Sequence, residues 1–300
     1  MAEPVLLYGV GATKAGTSWL YRTLADRPDC ALSAVKEAHY WDTFDVPTCD
    51  NQVAVFARQR REFLAAMEEA LAAGREHKLS NMTRRFQDMS ALIGVHSGDR
   101  SDHSAYLSYL RDRARPGTRL IADICPSYGL LDAEHYREMA ALSERSRFVY
   151  LVREPVARLW SAVRMQAERR QQPGEDVGEK ANMILARILS QGSDAHITMR
   201  GDYASAVTRM RGALPAETLH VAYMEELLTD AGYADLCAFL ELPPAPAPIE
   251  RKVHQGARVE MRADLRQAAY EMLRPHYAFA EAEIGPLPAA WTAAREALSC

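Results

Sequence analysis

The segment best suited to hold a phosphate-like group is Gly11-Ala12-Thr13-Lys14-Ala15-Gly16-Thr17-Ser18, a loop framed by two glycines with a lysine inside it. Backbone N–H groups in such a loop converge on an anion, and the helix that follows points its N-terminus at the same place. Loops for nucleoside triphosphates continue Gly-Lys-Ser/Thr, their lysine reaching the β- and γ-phosphates. Here Thr17 and Ser18 follow Gly16 directly and the lysine precedes it. That placement suits a cofactor with one 5'-phosphate bearing a transferable group better than a magnesium-chelated triphosphate. A plain glycine turn with a solvated lysine is the bland alternative.

Two further groupings have chemical potential. Arg153 ends the apolar run Phe148-Val-Tyr-Leu-Val152, and Ser161 follows in what reads as a helix opened by Pro155. A guanidinium forks onto two phosphate oxygens and a hydroxyl one or two helical turns on supplies a third bond. A capping surface arginine fits the same letters, and Arg158 reads as solvated. In Lys36-Glu37-Ala38-His39-Tyr40-Trp41, an extended backbone would put Glu37 and His39 on one face and Lys36 on the other. A carboxylate beside an imidazole can take a proton from an attacking hydroxyl, and partial desolvation would raise its basicity.

The elements that must position these groups alternate. Val5 to Val10 is a short continuous apolar run, as expected of a buried parallel strand, and the helix after the glycine loop places Trp19, Leu20, Thr23 and Leu24 on one face before Pro28. Residues from Ala31 to Trp41 look extended, Asp42 to Asn51 reads as a polar connection, and Gln52 to Lys78 carries a helical repeat. The stretch from Ser80 to Asp102 has no clear period. Further strands are expected at Arg119 to Ile124, Phe148 to Val152 and Leu219 to Tyr223, with helices at Ser104 to Arg113, Asp132 to Arg145, from Pro155, Glu179 to Leu189, Glu225 to Leu242 and Ala263 to Leu273. This alternation predicts an α/β fold, a three-layer P-loop-like arrangement around a mostly parallel sheet, in a single domain over 1–300.

Composition narrows the function classes. The chain has 300 residues, 48% hydrophobic and 25% charged, with a formal net charge of -4, a globular balance with no basic signal for nucleic acid. No stretch reaches the ~18 apolar residues a spanning helix needs. Five cysteines, Cys30, Cys49, Cys125, Cys237 and Cys300, lack C-x-x-C spacing and read as free thiols in a reducing compartment, which points to a soluble, cytoplasmic protein. The histidines are scattered, and no metal is expected.

Taken together, these motifs resemble those of sulfotransferases that use 3'-phosphoadenosine 5'-phosphosulfate (PAPS). Lys14-Ala15-Gly16-Thr17-Ser18-Trp19 is similar to the family's 5'-phosphosulfate loop, and strand-Arg153-Glu154-Pro155 with Ser161 to its 3'-phosphate stretch. Lys36-Glu-Ala-His-Tyr-Trp41 resembles an element of carbohydrate sulfotransferases, the heparan sulfate branch among them. That resemblance implies Glu37 as catalytic base, His39 as its partner (or, inverted, as the base itself) and Lys14 as the group stabilising the leaving side. Asp123-Ile124-Cys125-Pro126-Ser127-Tyr128 matches an acceptor-side segment in Pro126, Ser127 and Tyr128, but Ile124 stands where the family has lysine, which favours a smaller or less charged acceptor. Gly201-Asp202-Tyr203 matches another stretch, giving Tyr128 and Tyr203 as acceptor-side candidates. Lys252, Gly256 and Arg258 sit where the family closes a basic loop over the nucleotide, and Gly285-Pro-Leu-Pro288 with Trp291 resembles its terminal motif.

The resemblance implies transfer of a sulfuryl group from PAPS to a hydroxyl or amine on a glycan, lipid or small metabolite, with 3',5'-bisphosphoadenosine as the product nucleotide. Specificity would reside in the unmatched stretch 42–117, read as an insertion. The rival readings are a P-loop kinase with Asp123 holding magnesium, and a non-catalytic nucleotide-binding protein on the same fold.

Overall fold

A computed structural model describes residues 3–248 and 259–299. In chain order the first half comprises β1 (Val5–Gly11), α1 (Thr17–Ala25), β2 (Cys30–Leu32), α2 (Val46–Ala72), α3 (Glu76–Ser97), α4 (Ser104–Arg111), β3 (Leu120–Ile124), α5 (Ala133–Ala141) and β4 (Ser146–Val152). The second half comprises α6 (Pro155–Arg170), α7 (Val177–Gln191), α8 (Ala195–Met199), α9 (Tyr203–Ala213), β5 (Leu219–Tyr223), α10 (Met224–Leu227), α11 (Asp230–Phe239), α12 (Ala263–Glu283) and α13 (Ala289–Ser299).

The strands form one sheet in the order β2-β3-β1-β4-β5, with every neighbouring pair parallel. The connection through α1 leads outward to β2, and the later connections run back past β1 to β4 and β5. All seven residues of β1 are buried, as the continuous apolar run requires of a central strand covered on both sides. Chain direction reverses about β1, so the ends of β1 and β4 flank the switch point where open α/β sheets collect ligands.

Local chemistry explains where the elements begin. Glu154 caps α6 by accepting from the N–H groups of Val156 (3.2 Å) and Ala157 (2.5 Å), with Pro155 in the first turn. Asp45 caps α2 through Thr48 N–H at 2.9 Å, so this helix starts at Val46 rather than Gln52, and the polar connection expected over 42–51 is largely helix. It stops at Ala72 before Gly74, which has a φ of 64°. The unassigned 80–102 stretch is mostly α3. Of the segment expected to be extended, Ala31 to Trp41, only Ala31 and Leu32 lie in a strand. Glu37 and His39 have φ values of 68° and 51°, in the left-handed region. That backbone turns sharply, so the alternation of faces expected there does not hold. α12 runs through Pro275 to Glu283, beyond the end expected at Leu273. Among the described residues no helix is long and apolar enough to cross a membrane.

Arg158, expected on a solvated face, is only 2% exposed. Its guanidinium lies over the backbone of Gly201, where a Cβ would sit 2.3 Å from Arg158 Cζ. We therefore expect Gly201→Ala to destabilise the protein by about 1–3 kcal/mol through overpacking, lowering the calorimetric Tm by a few degrees. An unchanged Tm would show that the guanidinium is free to move aside.

Candidate functional site

The loop after β1 folds as an anion cradle. Gly16 takes a φ of 103° at the start of α1, and a Cβ there would lie 2.1 Å from Met224 Sδ, so only glycine closes the loop this tightly. Ala15, Thr17 and Trp19 turn inward, whereas Thr13, Lys14, Gly16 and Ser18 remain partly accessible. Trp19 packs edge-on against Tyr233, ring centroids 5.9 Å apart, and so underpins the loop. Lys14 Nζ rests 3.9 Å from Met165 Sδ. Burial is the largest influence lowering the Lys14 pKa, Arg153 lowers it further, and Glu168 offsets part of this.

Arg153 emerges from the neighbouring strand end. Its Nη1 donates to the Lys14 carbonyl at 3.3 Å, joining the two anion-binding positions expected from sequence. Its backbone is pinned by Tyr203, whose hydroxyl donates to Arg153 O at 2.7 Å and accepts from Arg153 N–H at 3.2 Å. Glu225 accepts from Glu154 N–H at 3.1 Å, and Tyr277 donates to the Glu154 carboxylate. Ser161 lies half-buried farther along α6. Lys252, Gly256 and Arg258 lie outside the described residues.

Glu37 and His39 do come together, by a route different from the one expected. Lys36, expected to point away, forms an ion pair with Glu37. His39 Nε2 approaches Glu37 Oε2 at 3.7 Å, and Nδ1 meets Asp42 Oδ2 at 2.9 Å. Burial would raise the Glu37 pKa, but His39 and Lys36 outweigh it and bring the carboxyl down to about 2. This reverses the expectation that desolvation raises its basicity. Burial also opposes the His39 imidazolium, yet Cys125, Asp42 and Glu37 hold its pKa well above the ordinary histidine range. Burial pushes the Cys125 thiol up to about 11, so it is neutral at working pH, and we ascribe the attraction on His39 to the two carboxylates.

The turn that carries this pair is braced by the unmatched stretch. His96 on α3 bonds through Nε2 to Ala38 O at 2.9 Å, and Thr43 Oγ1 donates to His39 O at 2.6 Å. Arg100 donates to the carbonyls of Tyr40 and Thr43 while its guanidinium lies 4.3 Å above the Tyr40 ring. Two left-handed non-glycine residues cost about 1 kcal/mol or more each, and such strain persists only where the surroundings over-determine it.

Several side chains take roles that sequence reasoning did not assign. Tyr128, a candidate acceptor contact, is fully buried; its hydroxyl accepts from Tyr40 N–H at 2.9 Å and donates to Asp123 Oδ2 at 2.7 Å. Tyr203 is equally enclosed. Both act on the backbone that carries site residues, so we assign them positioning roles. Asp42 was read as the start of a connection; its place three residues after His39 was the available signal. The histidines also prove less scattered than the sequence suggests. Among the described residues, His39, Asp42 and Cys125 form the one donor set close enough to share a cation, their ligand atoms all within 4.8 Å. Asp42 and Cys125 both face His39 Nδ1, the latter at 3.6 Å, so the set is already joined by hydrogen bonds.

One titration follows. His39 has its pKa raised in the fold, so its protonation contributes stability fully below pH ~6.5, the unfolded value. That contribution is lost as pH rises through the raised value. In nitrogen-15 NMR we expect the His39 ring to stay protonated beyond pH 8, and Asp42→Asn to lower its midpoint. Titration of the wild-type ring near 6.5 would contradict this geometry.

The profile described as "Sulfotransferase family" matches residues 7–247. Among solved structures, a sulfotransferase from Alicyclobacillus acidocaldarius is similar at 21% identity and a TM-score of 0.61, covering 97% of this chain and 100% of its own. The sulfotransferase domain of the Synechococcus PCC 7002 olefin synthase aligns at 14% identity and a TM-score of 0.43, over 90% of this chain and 94% of its own. The sulfotransferase domain from the curacin biosynthetic pathway aligns at 17% identity and 0.45, over 99% and 98%. No curated protein matches the chain significantly.

Proposed function

This chain belongs to the sulfotransferase family, and from that premise we propose that it transfers a sulfuryl group from PAPS to a hydroxyl or amine of a carbohydrate, lipid or small-metabolite acceptor. The observation that carries the reading is the contact between the ends of two adjacent strands, with Arg153 Nη1 3.3 Å from the Lys14 carbonyl. A guanidinium set against the backbone of a lysine whose own charge is disfavoured by burial and by that guanidinium forms a site whose energy falls when a multiply charged anion enters. A nucleotide bearing separate 5' and 3' anionic groups supplies that charge. Lys14 and the loop N–H groups would receive the 5' end, and Arg153 with Ser161 the 3'-phosphate.

In the reaction the acceptor oxygen or nitrogen forms a bond to sulfur as the bond from sulfur to the bridging phosphate oxygen breaks. Charge developing on that leaving oxygen is stabilised by Lys14 and the loop N–H groups. Glu37 accepts the acceptor's proton. A carboxylate with a pKa of about 2 is ionised at any working pH but weakly basic. A loose transfer, as in phosphoryl chemistry, asks little of the base until the new bond has acidified the acceptor's proton. His39, protonated between Glu37 and Asp42, is then the partner and not the base.

The kinase reading needs Asp123 to hold magnesium. That carboxyl is 3% exposed and accepts hydroxyls from Tyr106 (2.8 Å) and Tyr128 (2.7 Å), which supports a structural role instead. Calorimetry is expected to show 3',5'-bisphosphoadenosine binding at least about tenfold more tightly than magnesium ATP, the second phosphate contact being charge-assisted; the reverse order would favour the kinase. Glu37→Gln is expected to bind the bisphosphate normally and to lose about 10²- to 10⁴-fold in turnover. Full turnover by that variant would remove Glu37 as the base and leave the nucleotide assignment standing.

A further inference from the structure

Beside the lysine loop lies a cavity of about 190 Å³, lined chiefly by Thr13 of the loop, Arg158, Gln166 and Arg169 of α6, and His196 and Arg200 at α8. Its charge is one-sided. Among the described residues no carboxylate forms an ion pair with Arg158, Arg169 or Arg200. The acids around it are engaged elsewhere: Asp194 pairs with Arg170 and stands 4.0 Å from His196, Glu168 acts on Lys14, and Asp202 accepts from Ser205.

Arg158 is the telling member. It is 2% exposed, its Nη2 donates to Ile197 O at 3.1 Å, and its Nη1 has no hydrogen-bond partner. An enclosed guanidinium that lines a cavity and keeps one donor unused is costly unless a partner completes it. Arg200 uses one donor on Ser127 Oγ at 3.1 Å, which ties the cavity to the turn after β3. In that turn Cys125 touches His39 and Tyr128 holds Tyr40 N–H. Met165, 3.9 Å from Lys14 Nζ, also lines the cavity. The cavity therefore adjoins the Lys14 loop on one side and is tied to the Glu37–His39 segment on the other.

We infer that this cavity holds an oxyanion borne by the acceptor, a carboxylate, sulfate or phosphate group, gripped by Arg158, Arg169 and Arg200. The inference rests on the proposed transfer for the identity of the reacting groups and adds the substrate class: a hydroxyl or amine compound that already carries an acidic group. The lysine that the family resemblance places at Ile124 is absent, and these arginines supply acceptor-side charge from a different direction. Arg153 and Ser161 keep the nucleotide's 3'-phosphate, so the two anions are held separately.

The test uses the full chain and separates the two claims. First, calorimetry with 3',5'-bisphosphoadenosine asks whether the nucleotide binds at all; failure there sinks the nucleotide reading alone. Then the protein, loaded with PAPS so that the donor's own sulfonate occupies its place, is titrated with inorganic sulfate or phosphate; if PAPS does not bind, the free protein is titrated. We expect one further anion to bind, and Arg169→Gln and Arg200→Gln each to weaken it about tenfold or more, as loss of a charge-assisted bond requires. Bisphosphate affinity should stay within about twofold in both variants. Matched acceptors, hydroxy acids and sugar phosphates against their methyl esters or neutral sugars, should show a higher kcat/KM for the acidic member, with the preference lost in Arg200→Gln. No added anion, or an equal loss of bisphosphate affinity in the variants, would overturn the inference. A preference for the neutral acceptors would do so as well.

Discussion

Positive charge held in place by neutral backbone is the constraint from which the site follows. Among the described residues no carboxylate forms an ion pair with Arg153; its guanidinium donates to the carbonyl of Lys14, and its own backbone is clamped by the Tyr203 hydroxyl. Neutral partners satisfy donors without cancelling charge, so the cations stay available to an anion. The same device recurs at Arg158, which donates to the Ile197 carbonyl, and at Arg200, which donates to a serine. Pairing any of them with an acid would stabilise the empty protein and weaken its hold on an anion.

On the opposite side the polarity reverses. Glu37, His39 and Asp42 form a short run of alternating charge on a turn with two left-handed residues, and its shape is imposed from outside by His96, Thr43 and Arg100. Burial brings the pKa of His96 down to about 4, so its ring stays neutral and does not add a cation beside the His39 imidazolium. The stretch from Thr43 to Arg100 thus braces the turn that carries Glu37 and His39. This is a supporting role, compatible with the specificity role proposed for the same stretch.

The β1–loop–α1 unit and the β4–α6 unit were legible in the sequence because they obey local rules: continuous apolar runs, a Gly16 that only a tight loop requires, and Pro155 at a helix start. The alternation rule failed at Glu37 and His39 because tertiary hydrogen bonds from α3 hold a backbone that no local preference favours. Arg158 could not be read as buried, since its enclosure depends on Gly201 packing across it from another part of the chain. Tyr128 and Tyr203 were visible as motif letters. Their hydroxyls turn inward because Asp123 and the Arg153 backbone need buried partners. The donor set of His39 with Cys125 joins positions 86 apart in sequence, a separation that spacing analysis does not bridge.

The most direct measurement is a crystal structure of the protein soaked with 3',5'-bisphosphoadenosine. The expected result places the 5'-phosphate in the loop at Lys14, Gly16 and Ser18, and the 3'-phosphate within hydrogen-bond reach of Arg153 and Ser161. Density for the ribose phosphate elsewhere, with Arg153 and Ser161 untouched, would contradict the two-anion site and with it the reaction derived from it.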